Sequence, residues 1–446
     1  MSGNRSLDYL NWTLNDQRLP FDMESDDIKN GLVFTLKLIP EGPFLTIFEY
    51  MNAGYARNRF GKVEMVSSNE WNMEFRLICK EFTKYLPVEY CVGHLDIEGT
   101  LESDLILNEQ EVAKIESLRY LKCLNFHVIG LSNLPRCFNL IELYLFRIFN
   151  IKQINITEQY HHLKIVKIQR VFSLERLAIS TKVELKTLLV DSCENLESIP
   201  DSLNSSLEIL DVYTCALVSN VPDHLVNLKK LSVEGTNVSN ISKKFTLLEK
   251  LNISETVIDS IPPELTVLTK IDCSSTTVTV IPQINDQKKL RELRIFETNI
   301  SFTNDQWGNL VNLIKLDISF NNSISYIPPE LTQLKYLVIN FTNVQFIPPT
   351  LINLEDLIMR GCNIESIPET LINLKLLDVA NCLQISSISP KFVNLTDLCV
   401  ANSQVSTIAK EFVHLTTLFV NGSQVSSIPK ELINLESGDA FNLPRI

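Results

Sequence analysis

The side chains able to do chemistry are numerous but scattered. The 446-residue chain holds ten cysteines, six histidines and 53 carboxylates, so a metal site, a thiol nucleophile or an acid–base pair could each be assembled from them. Those chemistries need particular spacings, and the spacings are missing. The sequence contains no G-x4-G-K-S/T phosphate loop, no G-x-G-x-x-G turn, no H-E-x-x-H zinc helix, no G-x-S-x-G nucleophile elbow and no paired Cys/His spacing. His161 and His162 are the only adjacent histidines, and neighbours in sequence point apart on a helix or a strand, so a surface loop is expected there. Nothing places two carboxylates in one pocket. The residue inventory predicts a non-enzymatic protein that needs no cofactor and no metal.

Composition narrows the partners. Forty Lys and Arg against 53 Asp and Glu leave a net charge of -13, which repels nucleic-acid phosphates and anionic membranes, so neither is expected as a partner. The first residues carry no apolar leader, and no stretch approaches the roughly 18 apolar residues of a spanning helix. Cysteines without a C-x-x-C pair suit a reducing compartment, and a cytoplasmic location is expected. Twelve N-x-S/T sequons, Asn252-Ile-Ser and Asn340-Phe-Thr among them, arise by chance in an Asn-, Ser- and Thr-rich chain.

What positions the side chains is a repeat. From Leu188 onward an aliphatic residue is followed two later by another, a small polar residue stands at position five, and Ile-Pro and Leu-x-x-Leu come next, with a period of 20 to 23 residues. The first anchors are Leu188, Leu210, Leu231, Leu251, Ile271, Leu293, Leu316, Leu337, Leu357, Leu377, Leu398 and Leu418. Two inward residues flanking one outward residue make a short strand, and one strand per repeat stacks into a parallel sheet. No unit buries its apolar face alone, so neighbours must supply the burial. Position five holds Asn321, several Thr and Ser, and Cys193, Cys215, Cys362 and Cys382, small side chains able to hydrogen-bond a turn.

Units such as Leu251–Leu265, LNISETVIDSIPPEL, and Leu357–Leu371, LIMRGCNIESIPETL, resemble the leucine-rich repeat superfamily, in particular its short bacterial-effector-type repeat. The resemblance implies an α/β repeat solenoid, a curved array with a concave parallel β-sheet and a mostly irregular or extended convex side. Double prolines, as in Ile261-Pro-Pro and Ile327-Pro-Pro, agree with extended segments there. Regular repeats are expected over 188–437, degenerate ones with anchors at Leu121, Leu143 and Val166 over 91–187, and a short tail over 438–446.

Residues 1–90 lack the repeat and carry helix-like patterning, as where Phe75, Ile78, Phe82 and Leu86 share a face. Two readings stand for this small, mainly helical region. It is a cap over the first edge of the solenoid, or it is an F-box. Pro40, Ile47, Phe48 and Tyr50 are similar to the first F-box helix, and Cys79 and Phe82 to a later one. That resemblance implies docking on a Skp-type adaptor of a cullin ubiquitin ligase while the repeats select substrate.

The outward positions lie at minus one, plus one, plus three and plus four from each first anchor. Read in columns, they give an early row of lysines (Lys230, Lys250, Lys270 and Lys315) charge-balanced by Glu234, Glu255 and Asp272. Farther on, Phe296, Phe320, Tyr336, Val338, Phe341 and Ile358 gather, bordered by Arg294 and Arg360. Exposed aromatics with arginine at the edge have the chemistry of an interface centre. The expected function is therefore binding of a protein partner on the concave face. The alternatives are a ubiquitin-ligase substrate adaptor and a secreted effector-like repeat protein acting in a host cell.

Overall fold

The computed structural model of the chain describes residues 140–146, 151–281, 289–302, 304–440 and 443–446, together with the strands Ala56–Arg57, Val63–Glu64, Val92–Asp96 and Tyr120–Leu124. The chain divides into two units, Met1–Lys84 and Tyr85–Ile446. In the first, Ala56–Arg57 pairs antiparallel with Val63–Glu64. The F-box-like helices, with Pro40, Ile47, Phe48, Tyr50, Cys79 and Phe82, lie outside the described residues.

The second unit is a parallel β-solenoid with one sheet strand per turn. Register places Gly93, Leu121, Leu143, Val166, Leu188, Leu210 and Leu231 in a single row. The row continues through Leu251, Ile271, Leu293, Leu316, Leu337, Leu357, Leu377, Leu398 and Leu418 to Gly438. Among the described residues no pairing joins Ser437–Gly438 back to Val92–Asp96, so the sheet has two ends. Both anchors of each regular turn are buried, as with Leu231 and Val233 or Leu337 and Ile339, in one core that runs from Leu140 to Ala440.

The hydrogen-bond ladder continues past the short strands and dictates the turn after each of them. The amide at plus four donates to the plus-three carbonyl of the next turn, as Thr214 does to Glu234 at 2.9 Å and Phe341 to Arg360 at 2.8 Å. Keeping that bond while the chain turns forces a left-handed backbone. All thirteen plus-four residues from Arg170 to Gly422 have φ between 51° and 71°. Gly235, Gly361, Gly422, Asn381 and Asn402 adopt it readily, whereas a β-branched or bulky residue there is strained. Thr214, exposed at such a turn, should therefore be a weak point. Thr214→Asn is expected to raise stability by about 0.5–1 kcal/mol, checked by chemical unfolding; a loss of stability would mean that the threonine hydroxyl matters more than its backbone.

Position five closes the same turn in two ways set by side-chain reach. The hydroxyls of Thr236, Thr256, Thr276, Thr298, Thr342 and Ser403 donate to the plus-two carbonyl of their own turn at 2.6–3.0 Å. Asn321, Cys362 and Cys382 reach the same carbonyl of the preceding turn at 2.6, 3.0 and 2.8 Å. These cysteines are hydrogen-bonding parts of the ladder, and burial pushes the Cys382 thiol up to about 12, which keeps it protonated.

The side opposite the sheet is mostly turns. A parallel pair, Gln153–Ile156 with Arg176–Ile179, occurs in the early irregular turns. A single helical turn, Asn304–Gly308, buries Trp307 against Phe302 at 4.5 Å. Along the regular turns an asparagine row links neighbours: Asn353, Asn373, Asn394 and Asn434 each donate to a backbone carbonyl one turn back at 2.8–2.9 Å. At the last turn, Gly438 has φ 119°, and a side chain there would collide with the Leu418 carbonyl. Residues 443–446 then fold back, with Ile446 bonded to Ile428 and Lys430. Among the described residues no helix is long and apolar enough to cross a membrane.

Candidate interaction surface

The outward face of the sheet divides into a polar half and an apolar half. In the polar half the lysine row is partly neutralised in place: Lys230 pairs with Asp211 at 2.8 Å, Lys270 with Glu292 at 3.1 Å and Lys315 with Glu292 at 3.8 Å. Lys250 is exposed and has no ion pair among the described residues. Glu234 is buried and accepts a hydrogen bond from Asn252 at 2.7 Å. Burial, reinforced by Asp272 and Glu255, pushes its carboxyl up to about 7 against the opposing pull of Arg294.

Arg294 departs from the expected border position. Its side chain is only 14% exposed and is held between Asp272 at 3.2 Å and Asp317 at 3.7 Å, on the strands before and after its own. Alternation along the strand puts it on the outward face, and carboxylates on both neighbouring strands draw it down. It braces the sheet and is not available at its rim. Arg360 is half exposed and reaches Asp378 on the next strand at 2.6 Å.

The aromatic residues do come together. Phe296 and Phe320 meet edge to face at 5.1 Å between ring centroids, and Phe320 and Phe341 meet at 4.9 Å. The row ends at Gly361, whose missing side chain leaves room for the Phe341 ring. Tyr336, Val338 and Ile358 lie half-buried beside it on adjacent strands, with a Lys315 ammonium 5.1 Å from the Tyr336 ring. Trp307 packs with Phe302 instead and plays no part in this row.

Phe320 and Phe341 are each 45% exposed and both sit at left-handed plus-four positions, with φ 58° and 52°. A bulky side chain there costs about 1–2 kcal/mol, and ring stacking returns roughly 0.5–1.5 kcal/mol per pair. Stability alone would favour the Gly or Asn found at equivalent turns. The strain was not legible from residue type, because the same position elsewhere holds Thr, Ser, Glu and Arg.

Charge on the face is unevenly compensated. Outward positions from Lys230 to Asn402 carry nine carboxylates and six basic groups, a negative surplus. Asp356 and Asp397, beside the apolar half, have no ion-pair partner among the described residues. Asp397 accepts a hydrogen bond from Thr396 at 2.7 Å. Burial pushes the Asp356 carboxyl up to about 6, with Glu355 and Asp397 adding to the rise and Lys375 and Lys315 opposing it.

A second apolar row runs along the turn side, formed by Ile352, Ile372, Val393, Val413 and Ile433, all exposed. Unlike Phe320 and Phe341, none of these residues has a positive φ. No group of three or more His, Cys, Asp or Glu is placed to hold a metal ion among the described residues, and His161 and His162 are exposed on a turn.

No protein-family model matches the sequence, and no curated protein matches it. Solved structures do. The functional domain of InlJ from Listeria monocytogenes, which includes a cysteine ladder, is similar with a TM-score of 0.53 at 18% identity, covering 73% of this chain and 68% of that one. The leucine-rich repeat protein LIC12759 of Leptospira interrogans gives a TM-score of 0.53 at 18% identity, covering 76% of this chain and 100% of that one. These likenesses establish the fold: a parallel β-solenoid whose structural neighbours are leucine-rich repeat proteins.

Proposed function

We propose that the chain is a non-catalytic interaction protein whose protein partner docks on the outward face of the sheet around Phe320 and Phe341. The observation that carries this reading is the aromatic row itself. Two exposed phenylalanines occupy backbone positions where glycine or asparagine would be more stable, and their rings lie beside half-buried Tyr336, Val338 and Ile358. Strain retained at exposed aromatic positions is explained by a contact made outside the fold. A purely structural role predicts the opposite, since removing the rings would then lower stability.

The test separates the two. Phe320→Asn combined with Phe341→Asn is expected to change unfolding stability by less than about 1 kcal/mol, as relief of backbone strain offsets lost stacking. The same double variant is expected to lose partners that the full chain retains in quantitative affinity capture, with affinity for each identified partner falling at least tenfold. Marked destabilisation, or unchanged partners, would show that the row serves the fold alone.

A further inference from the structure

We propose that the segment docking on this face is cationic, with a lysine or arginine side chain lying over Leu376 between Asp356 and Asp397 while its apolar neighbours rest on Tyr336, Val338 and Ile358. This rests on the interaction surface proposed above and specifies the chemistry of what it takes.

Register sets the geometry. Asp356, Leu376 and Asp397 are direct neighbours on three successive strands, so the two carboxylates flank one leucine about 10 Å apart from strand to strand. Among the described residues no third His, Cys, Asp or Glu joins them in a group able to hold a metal ion, and calcium or magnesium takes about six or more oxygen ligands. The spacing suits the extended reach of a basic side chain over an apolar floor.

Among the described residues the nearby cations are engaged elsewhere. Lys375 pairs with Glu355 at 2.6 Å, Arg360 with Asp378 at 2.6 Å and Lys315 with Glu292 at 3.8 Å. Asp356 therefore faces its like-charged neighbours Glu355 and Asp397 with Lys375 and Lys315 acting only from a distance; burial raises its carboxyl first, and the two neighbouring carboxylates add to the rise. Exposed Glu297 adds a further negative group at the other end of the aromatic row, beside Phe320. Charge complementarity thus favours a basic segment, and the half-buried Tyr336, Val338, Ile358 and Leu376 require apolar side chains in the same segment.

A random peptide library displayed against the immobilised full chain tests this, with three variants run in parallel: Asp356→Asn/Asp397→Asn, Phe320→Asn/Phe341→Asn, and all four substitutions together. Both carboxylate replacements remove mutual repulsion, so the first variant should fold at least as stably, which its melting curve checks. The expected result is enrichment of peptides that combine Lys or Arg with aromatic or aliphatic residues. These should bind the carboxylate variant at least tenfold more weakly and lose affinity as salt is raised. Because the bound cation favours the ionised carboxylate, binding near pH 6 should also release protons from Asp356, seen as a buffer-dependent heat that Asp356→Asn abolishes. Enriched apolar or acidic peptides that need Phe320 and Phe341 but ignore the carboxylates would overturn the cationic assignment and leave the surface standing. Peptides indifferent to both pairs, or no enrichment over the fourfold variant, would overturn both.

Discussion

Arg294→Met is expected to destabilise the solenoid by about 3–5 kcal/mol, the cost of leaving buried carboxylates without their cation. Asp272 and Asp317 both lie within ion-pair distance of the guanidinium, on opposite neighbouring strands, and both are buried. Asp317 already stands above the usual carboxylate range because of burial, and Arg294 is the main group holding it down. With the cation gone, the folded state would take up a proton at Asp317 more readily than the unfolded chain does. The deficit should therefore be largest above neutral pH and shrink as pH falls toward the unfolded carboxylate range. Adding Asp317→Asn to Arg294→Met should recover at least about 1 kcal/mol, since one uncompensated charge is removed. Urea unfolding of the two single variants and the double variant closes the cycle. Equal losses at all pH values, with no recovery in the double variant, would mean that Arg294 contributes packing and not charge.

The sheet was legible because its signal repeats. Aliphatic anchors from Leu188 to Leu418 return at a period too short for a long helix, and every one falls in the observed register row. The ends were less legible for a physical reason. Gly93 and Gly438 stand where an anchor would, and glycine buries nothing that hydropathy can register. Gly438 is there because its backbone conformation and the Leu418 carbonyl leave no room for a side chain. The asparagine row on the turn side is present in each Leu/Phe-x-Asn-Leu, yet only the structure shows the amides of Asn353, Asn373, Asn394 and Asn434 linking one turn to the next.

The candidate surface was legible as a set of columns and not as an energy landscape. Outward alternation correctly placed Phe296, Phe320 and Phe341 together. It could not reveal that the ladder amides of Phe320 and Phe341 force a left-handed backbone, because that constraint comes from carbonyls of the following turn, at Asn340 and Arg360. Nor could it rank charges. Arg294 and Arg360 look alike in the sequence, but the first is locked between two carboxylates and the second extends along the surface to one.

Glu234→Gln is expected to stabilise the chain by roughly 2–3 kcal/mol at pH 8 and to leave it nearly unchanged near pH 4. Glu234 is 4% exposed, and its carboxyl rises to about 7 when folded, against an ordinary value of 4.5. A folded-state value above the unfolded one means that the native protein holds its proton longer. The associated stability is fully present below about pH 4.5 and is lost as pH rises through about 7. Glutamine is neutral throughout, so it escapes that loss while still offering an oxygen to the Asn252 amide, which now donates to Glu234 at 2.7 Å. Burial, with Asp272 and Glu255 adding repulsion, outweighs the attraction of Arg294, which is why neutralisation should help even beside a cation. Unfolding measured at both pH values decides the matter. If the glutamine variant were instead less stable at pH 8, the Glu234 charge would belong to the Arg294 network, and that network would be wider than the two direct ion pairs of Arg294.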